Sequence, residues 1–182
     1  MSDTVITTIV GVIGTLLGAM LGWILNQLSQ RGKVNFYFNE IRLFFSSSDK
    51  SNGTISLHID VDITNTSSNQ KIIRNIKAVL CKNEKNIFEK NLFVKETNAG
   101  FFSLICSPKS MKNVQLTIPQ LHVEMDEEPK NFFDNDELYL KYYDEKNKVQ
   151  SVCIYKNILT ENPYFRDCLE NQKGDEIVAT KI

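Results

Sequence analysis

The side chains best suited to chemistry lie in one short segment, "ISLHIDVDITN", residues 55–65. His58, Asp60 and Asp62 recur at every second position, and in a β-strand this spacing places them on one face, about 6.7 Å apart along the strand. Imidazole and carboxylate groups bind metals, but this row completes a site only if another strand adds ligands. A half-buried strand alternates apolar and polar residues by default. We therefore interpret the row as a solvated face and predict no metal site.

Other catalytic or cofactor-binding patterns are missing from the sequence. The four cysteines are widely scattered, at Cys81, Cys106, Cys153 and Cys168. They lack the CxxC spacing of zinc and redox sites. No Walker loop, GxGxxG, GxSxG or HExxH motif occurs. We predict no catalytic residue, no cofactor and no enzymatic activity; the alternative is an enzyme whose site is assembled from distant loops.

The elements that would carry these side chains follow a hydrophobic period of two. Residues 34–45 alternate, slip by one position and resume, which indicates a β-bulge. Residues 137–157 are typical of a hairpin that turns at Asp144–Asn147. In the segment "KIIRNIKAVLCK", the same alternation predicts one core face, formed by Ile72, Ile76, Ala78 and Leu80.

About eight such strands, joined by polar turns, predict an antiparallel β-sandwich over residues 34–158. We favour an immunoglobulin-like topology, although the Cys…Trp…Cys arrangement typical of that fold is absent; a β-barrel is the alternative. Residues 159–182 are predicted to be a tail that begins with a short helix after Pro163 and ends in mobile residues. Lys outnumbers Arg 17 to 4, a bias that indicates an AT-rich, bacterial genome.

Residues 1–30 have a different character and predict a transmembrane helix. The run from Val5 to Leu25 has 21 residues and no charge, and as a helix it covers roughly 31 Å, the thickness of a bilayer core. Trp23 lies near its end, where an indole prefers the headgroup level. A cleaved signal peptide is the alternative, but "MSDTV" has no cation and no A-x-A-like site follows the run.

The charges beside this helix predict its orientation in the cell membrane. Arg31 and Lys33 follow the span and no cation precedes it. The positive-inside rule therefore places the C-terminal side in the cytoplasm, as a single-pass protein with its N-terminus outside. The scattered cysteines agree, since they form no compact disulfide framework.

Small residues at helical spacing predict helix–helix packing. The glycines that share one face of the helix are Gly11, Gly14, Gly18 and Gly22. In lipid, close backbone approach across small residues provides much of the association energy. We predict self-association through this face or packing on a partner's span; the alternative is the general frequency of Gly in membrane helices.

Charge is unevenly distributed, although the net charge is only −1. Residues 71–95 hold seven cations and two anions, whereas residues 124–137 hold seven anions and one cation. The basic segment predicts contact with an anionic leaflet, through Lys71, Arg74, Lys77, Lys82 and Lys85. The alternative is two solvated faces with offsetting charges. One Arg and few aromatic residues argue against nucleic-acid binding.

Together these features predict a single-pass membrane-anchored β-sandwich that binds an unknown protein partner or other ligand. The alternative, from a different class, is a membrane effector of toxin or defence type. Its glycine-faced helices would oligomerise or form a pore when the sandwich senses a signal.

Overall fold

The structure, a computed structural model, describes most of the 182-residue chain. The described residues are 3–30, 32–47, 52–82, 85–95, 103–125, 128–134, 136–171 and 177–181. Arg31, one of the residues predicted to flank the membrane, lies outside them.

The first element is a single long helix, α1 (Asp3–Gln30). Within it, every side chain in the apolar stretch Thr8–Leu28 is exposed. Among the described residues, α1 is the one helix long and apolar enough to cross a membrane.

Ten strands follow in the described part of the chain, and they form two antiparallel sheets. Sheet A has the order β10-β1-β2-β7-β5, and sheet B has the order β4-β3-β8-β9 with β6 also paired to β3. The strands of sheet A are β1 (Val34–Ser47), β2 (Asn52–Asn65), β5 (Phe93–Val94), β7 (Ser110–Glu124) and β10 (Ile177–Lys181). The strands of sheet B are β3 (Lys71–Lys82), β4 (Lys85–Asn91), β6 (Ser103–Cys106), β8 (Asp136–Tyr143) and β9 (Val149–Tyr155).

This arrangement confirms the predicted antiparallel β-sandwich. The order β1-β2-β7-β5 corresponds to strands A, B, E and D of an immunoglobulin domain, and β3-β8-β9 corresponds to C, F and G. Strand β4 extends the second sheet beside β3, and β10 extends the first beside β1.

The core lies between the sheets and is built from the alternating residues of each strand. In the central strand β2, every second residue from Ile55 to Ile63 is fully buried. The predicted bulge in β1 is confirmed by a register shift between Phe38 and Glu40. The hairpin β8–β9 also turns where the sequence predicted.

One predicted core face needs correction. In β3 the residue buried near the start is Ile73, whereas Ile72 is half-buried on the outer face. Asn75 has a φ of 50°, and the pairing with β8 shifts register between Arg74 and Lys77. Because of this irregularity, an odd-numbered residue, Ile73, faces the core before it, and even-numbered residues from Ile76 onward face the core after it. Strict alternation along the sequence does not predict such a change.

The end of the chain also differs from the predicted mobile tail. Short helices α2 (Pro129–Phe132), α3 (Ile158–Glu161) and α4 (Pro163–Asn171) lie at one end of the sandwich. The helix expected after Pro163 is therefore present. The last described residues, however, form β10, which pairs with β1 and buries Ile177 and Ala179.

Candidate functional site

The two ends of the sandwich are chemically different. We call the end where α1 enters the proximal end. Its described parts are Gly32–Lys33 and the turns Thr66–Gln70, Ser107–Lys109 and Asp144–Lys148. The opposite end, with α2, α3 and α4, is called the distal end.

The chain enters the sandwich through a tight junction on the turn between β2 and β3. The backbone N–H of Lys33 donates to Thr66 Oγ1 at 2.9 Å, and Lys33 O accepts from the backbone N–H of Thr66 at 3.1 Å. A Cβ placed on Gly32 would overlap the backbone N and Cα of Ser67. Because that neighbour is backbone, only glycine fits here without displacing the turn.

Beneath this junction is a buried polar network centred on Asn65. Its Nδ2 donates to the carbonyl oxygens of Asn69, Cys106 and Ser107 at 2.8 to 3.0 Å. Its Oδ1 accepts from the backbone N–H of Ser67 at 2.9 Å. A satisfied buried network of this kind fixes geometry, so the β2–β3 and β6–β7 turns are held together beside the Gly32–Lys33 junction.

Outside sheet A lies a shallow groove of about 400 Å³. Phe44 and His58 pack edge to face across it, with ring centroids 5.3 Å apart. Arg42 pairs with Glu40 at 2.6 Å on one side. The other residues lining the groove are Ile59, Asp60, Lys95, Gln115, Leu116 and Thr117. A concave surface with one aromatic pair and several charged groups can bind a polar ligand or a peptide.

The carboxylates considered at the outset lie on this same outer face. Asp60 and Asp62 both accept from Asn113 Nδ2, at 2.6 and 3.0 Å; both are half-buried, whereas His58 is exposed. Asn113, on the adjacent strand β7, places an amide beside these carboxylates. A metal site would need another imidazole or carboxylate at that position. Among the described residues, no three His, Cys, Asp or Glu side chains are grouped to hold a metal ion.

The four cysteines are free thiols. Burial raises the pKa of Cys81, of Cys106 and of Cys153 above the ordinary value. A raised thiol pKa reduces the thiolate fraction and thus the nucleophilicity. Cys153 on β9 is nevertheless exposed, which makes it a useful labelling position.

The predicted anionic-surface residues are distributed along β3 and its turn rather than gathered at one end. Lys71, at the proximal end, pairs with Glu145 at 2.5 Å. Lys77, at mid-strand, pairs with Glu89 at 2.6 Å. Arg74 donates to Glu145 O, while Lys82 donates to Asn131 O at the distal end, beside exposed Lys85.

The predicted helix-packing residues are all accessible. A Cβ at Gly11, Gly14, Gly18 or Gly22 would meet nothing within 4 Å. Trp23 is exposed near the end of the span, and Lys33 is exposed at the junction.

Sequence patterns did not identify Gly32, Asn65 or the exposed apolar side chains at the proximal end. Outside α1, the large hydrophobic side chains that remain exposed in the described chain are Tyr37, Ile105, Met111, Val149 and Tyr164. All except Tyr164 lie in the proximal part of the sandwich. Of these residues, only Gly32 could have been identified from a local sequence pattern, because it is a glycine between a predicted helix and a predicted strand.

Comparison with known proteins gives little further information. No family model matches the chain, and no curated protein matches it. One solved structure, described as the putative ApaA protein from Bordetella pertussis, is similar with a TM-score of 0.33 and 10% identity, over 68% of this chain and 89% of that chain. A TM-score of this size does not establish a common fold.

Proposed function

We propose that this protein is a single-pass, membrane-tethered β-sandwich that binds a partner protein or other ligand and catalyses no reaction. The observation that carries the proposal is α1, since the whole stretch Thr8–Leu28 exposes its side chains. Exposed apolar surface on this scale is unfavourable in water and favourable in a bilayer. The folded sandwich begins at Val34, directly after the short junction that follows α1.

The groove outside sheet A is the surface we assign to the partner. It combines the Phe44–His58 pair with charged residues on neighbouring strands, and interface energy is concentrated in such aromatic and Arg side chains. It lies on the outer face of the sandwich, and so remains open when the protein is tethered.

Membrane fractionation of the full chain tests the tether. We expect the protein in the pellet after an alkaline carbonate wash and its release only by detergent. Recovery of the intact chain as a monodisperse species in a detergent-free supernatant would overturn the proposal. Sequencing the N-terminus of the membrane-bound protein distinguishes an anchor from a cleaved signal sequence, because an anchor keeps residues 1–30.

Cys153 offers a test of orientation without an introduced residue. With the sandwich in the cytoplasm, a membrane-impermeant maleimide should not label Cys153 in intact cells and should label it after lysis. The Cys153→Ser variant identifies the labelled thiol. Labelling of Cys153 in intact cells would reverse the proposed topology.

A second candidate function, the oligomerising or pore-forming effector, is favoured by the open glycine face of α1. A Cβ added at Gly14, Gly18 or Gly22 would have no neighbour within 4 Å, so another helix has room to approach. Induced expression separates the candidates. Membrane depolarisation that disappears on substitution of these glycines favours the effector, whereas healthy cells and a cross-linked partner favour the binding module.

A further inference from the structure

We propose that the proximal end of the sandwich docks onto anionic phospholipid headgroups of the bilayer that holds α1. This inference rests on the proposed membrane tether and deepens it. The docked surface consists of the three proximal turns and the strand ends beside them, and it differs from the basic strand segment that the sequence indicated.

The first observation concerns exposed apolar side chains at the proximal end. Ile105, Met111 and Val149 are 54%, 66% and 56% exposed, and each lies next to or close to a proximal turn in the chain. On sheet B the outer-face partners continue this apolar surface, because Ile105 pairs with Ile72 and Val149 pairs with Tyr143. Side chains of this kind insert at the boundary between headgroups and acyl chains.

The second observation is charge. Among the residues that the structure describes, the same end carries six lysines and two carboxylates, namely Lys33, Lys71, Lys109, Lys112, Lys146 and Lys148 with Asp144 and Glu145. Glu145 is paired with Lys71. The carboxylate of Asp144 accepts from the backbone N–H groups of Lys146 and Lys148 at 2.9 Å. Both acidic groups are therefore engaged within the turn region, while five of the lysines are exposed to solvent.

The third observation is position. Lys33 follows Gln30, the last residue of α1, by three positions along the chain, a separation that spans at most about 10 Å. Lys33 is itself fixed to Thr66, because its backbone N–H donates to Thr66 Oγ1 and its carbonyl oxygen accepts from the backbone N–H of Thr66. The proximal turns are thus held within a short distance of the helix end, which gives a high effective concentration at the headgroups.

The distal end has mixed charge. Glu124, Glu128 and Asp134 are exposed there and offset the nearby cations Lys85, Lys156 and Arg166, so an anionic leaflet attracts that end less than the proximal end. Basic and apolar groups toward the bilayer, with acidic groups away from it, select one orientation of the sandwich. An anionic leaflet is the occupant that matches lysines mixed with exposed apolar side chains.

The experiment uses the full chain in nanodiscs of phosphatidylcholine, with or without phosphatidylglycerol. An environment-sensitive fluorophore is attached at Met111→Cys, in a background with Cys153→Ser and Cys168→Ser, and is quenched by spin-labelled headgroups. The matched control carries the same probe at Tyr164→Cys, a distal position that is 74% exposed. We expect stronger quenching at position 111 in anionic nanodiscs and no lipid dependence at position 164.

Two charge variants identify the groups responsible. The proximal variant is K109Q/K146Q/K148Q, and the control, with three exposed lysines away from the proximal end, is K85Q/K90Q/K156Q. The proximal variant is expected to shift the ratio of docked to undocked protein by roughly a hundredfold, and the control should behave as the wild type.

The outcomes separate this inference from the proposed function. A chain that does not insert into nanodiscs overturns the tether and the docking together. An inserted chain with equal quenching at position 111 in neutral and anionic lipid overturns the docking alone. Equal quenching at both probe positions, or a proximal variant that still docks, also overturns it.

Discussion

Helix α1 and the sandwich contain the same apolar residue types in opposite environments. Leu17 of α1 is 55% exposed, whereas Leu57 of β2 is fully buried. In the sandwich, alternation allows the two sheets to cover each other's apolar faces. In α1, apolar side chains surround the helix, so no packing against one face could cover them. The difference teaches that the sandwich completes its own core, while the apolar side chains of α1 remain uncovered by the rest of the described chain.

The glycines show the same difference. Those of α1 face open space, whereas Gly32 lies against the backbone of the β2–β3 turn and Gly53 against the ring of Phe45. Substitutions in α1 should therefore affect association and leave folding unchanged, and substitutions in the sandwich should do the reverse.

The largest expected effect is on the core. Leu57→Ala should destabilise the sandwich by about 2–5 kcal/mol, because it removes buried contacts and leaves a cavity. The matched deletion Leu17→Ala should leave the sandwich's free energy of unfolding unchanged. Urea titration of the full chain in detergent, followed by the β-sheet circular dichroism signal, measures both. Equal losses in the two variants would contradict the division into two independent regions.

The junction between the regions should be the next most sensitive. Gly32→Val should destabilise by about 1–3 kcal/mol, since the side chain meets the backbone of Ser67 and something must move. Hydrogen exchange at the Thr66 and Ser67 amides should accelerate. Gly18→Ala is the control. Unchanged exchange at the Thr66 and Ser67 amides in Gly32→Val would contradict the close contact between Gly32 and the β2–β3 turn.

Within α1, Gly18→Ile should reduce self-association several-fold in a membrane two-hybrid assay, because the bulky side chain prevents close helix approach. Met20→Ile, on the opposite side of the helix, is the matched control. If Gly18→Ile associates as well as the wild type, the glycine face does not pack against another helix.

The smallest effect is expected from the Lys77–Glu89 pair. The hydrogen bond from Lys77 holds the pKa of Glu89 below 4.5, and the same bond raises the pKa of Lys77 above 10.5. A carboxyl group whose pKa is lowered by folding stabilises the fold at pH values above its pKa in the unfolded state. This contribution is lost as the pH falls through the pKa of the folded state. Both side chains are about one-third exposed, so the effect should stay below about 1 kcal/mol.

Comparing the urea stability of Glu89→Gln and the wild type between neutral and acidic pH measures this contribution. The difference between the two proteins should vanish at acidic pH, where Glu89 is protonated. A difference that persists there would reflect packing rather than charge.

Much of the fold could be predicted because its patterns are local. The alternation from Ile55 to Ile63, the slip in β1 and the β8–β9 turn are each visible within a few residues, and each is present in the structure. The last strand, β10, was not predicted. Strand β10 has only five residues, and its burial depends on pairing with β1, far away in sequence.

The sequence by itself determined that this protein has two kinds of segment, an uncharged helix and a series of strands with alternating apolar residues. The reason is that the spacing of apolar residues along the chain follows the backbone geometry of each element. Only the tertiary structure decided which turns share the end beside α1. That end joins Lys33 to Thr66 and Ser67 to Lys109 through backbone hydrogen bonds. It also gathers Ile105, Met111 and Val149 from three separate strands. The physical reason is that strand pairing and sheet closure act between distant residues, so a surface made of several turns has no pattern along the chain.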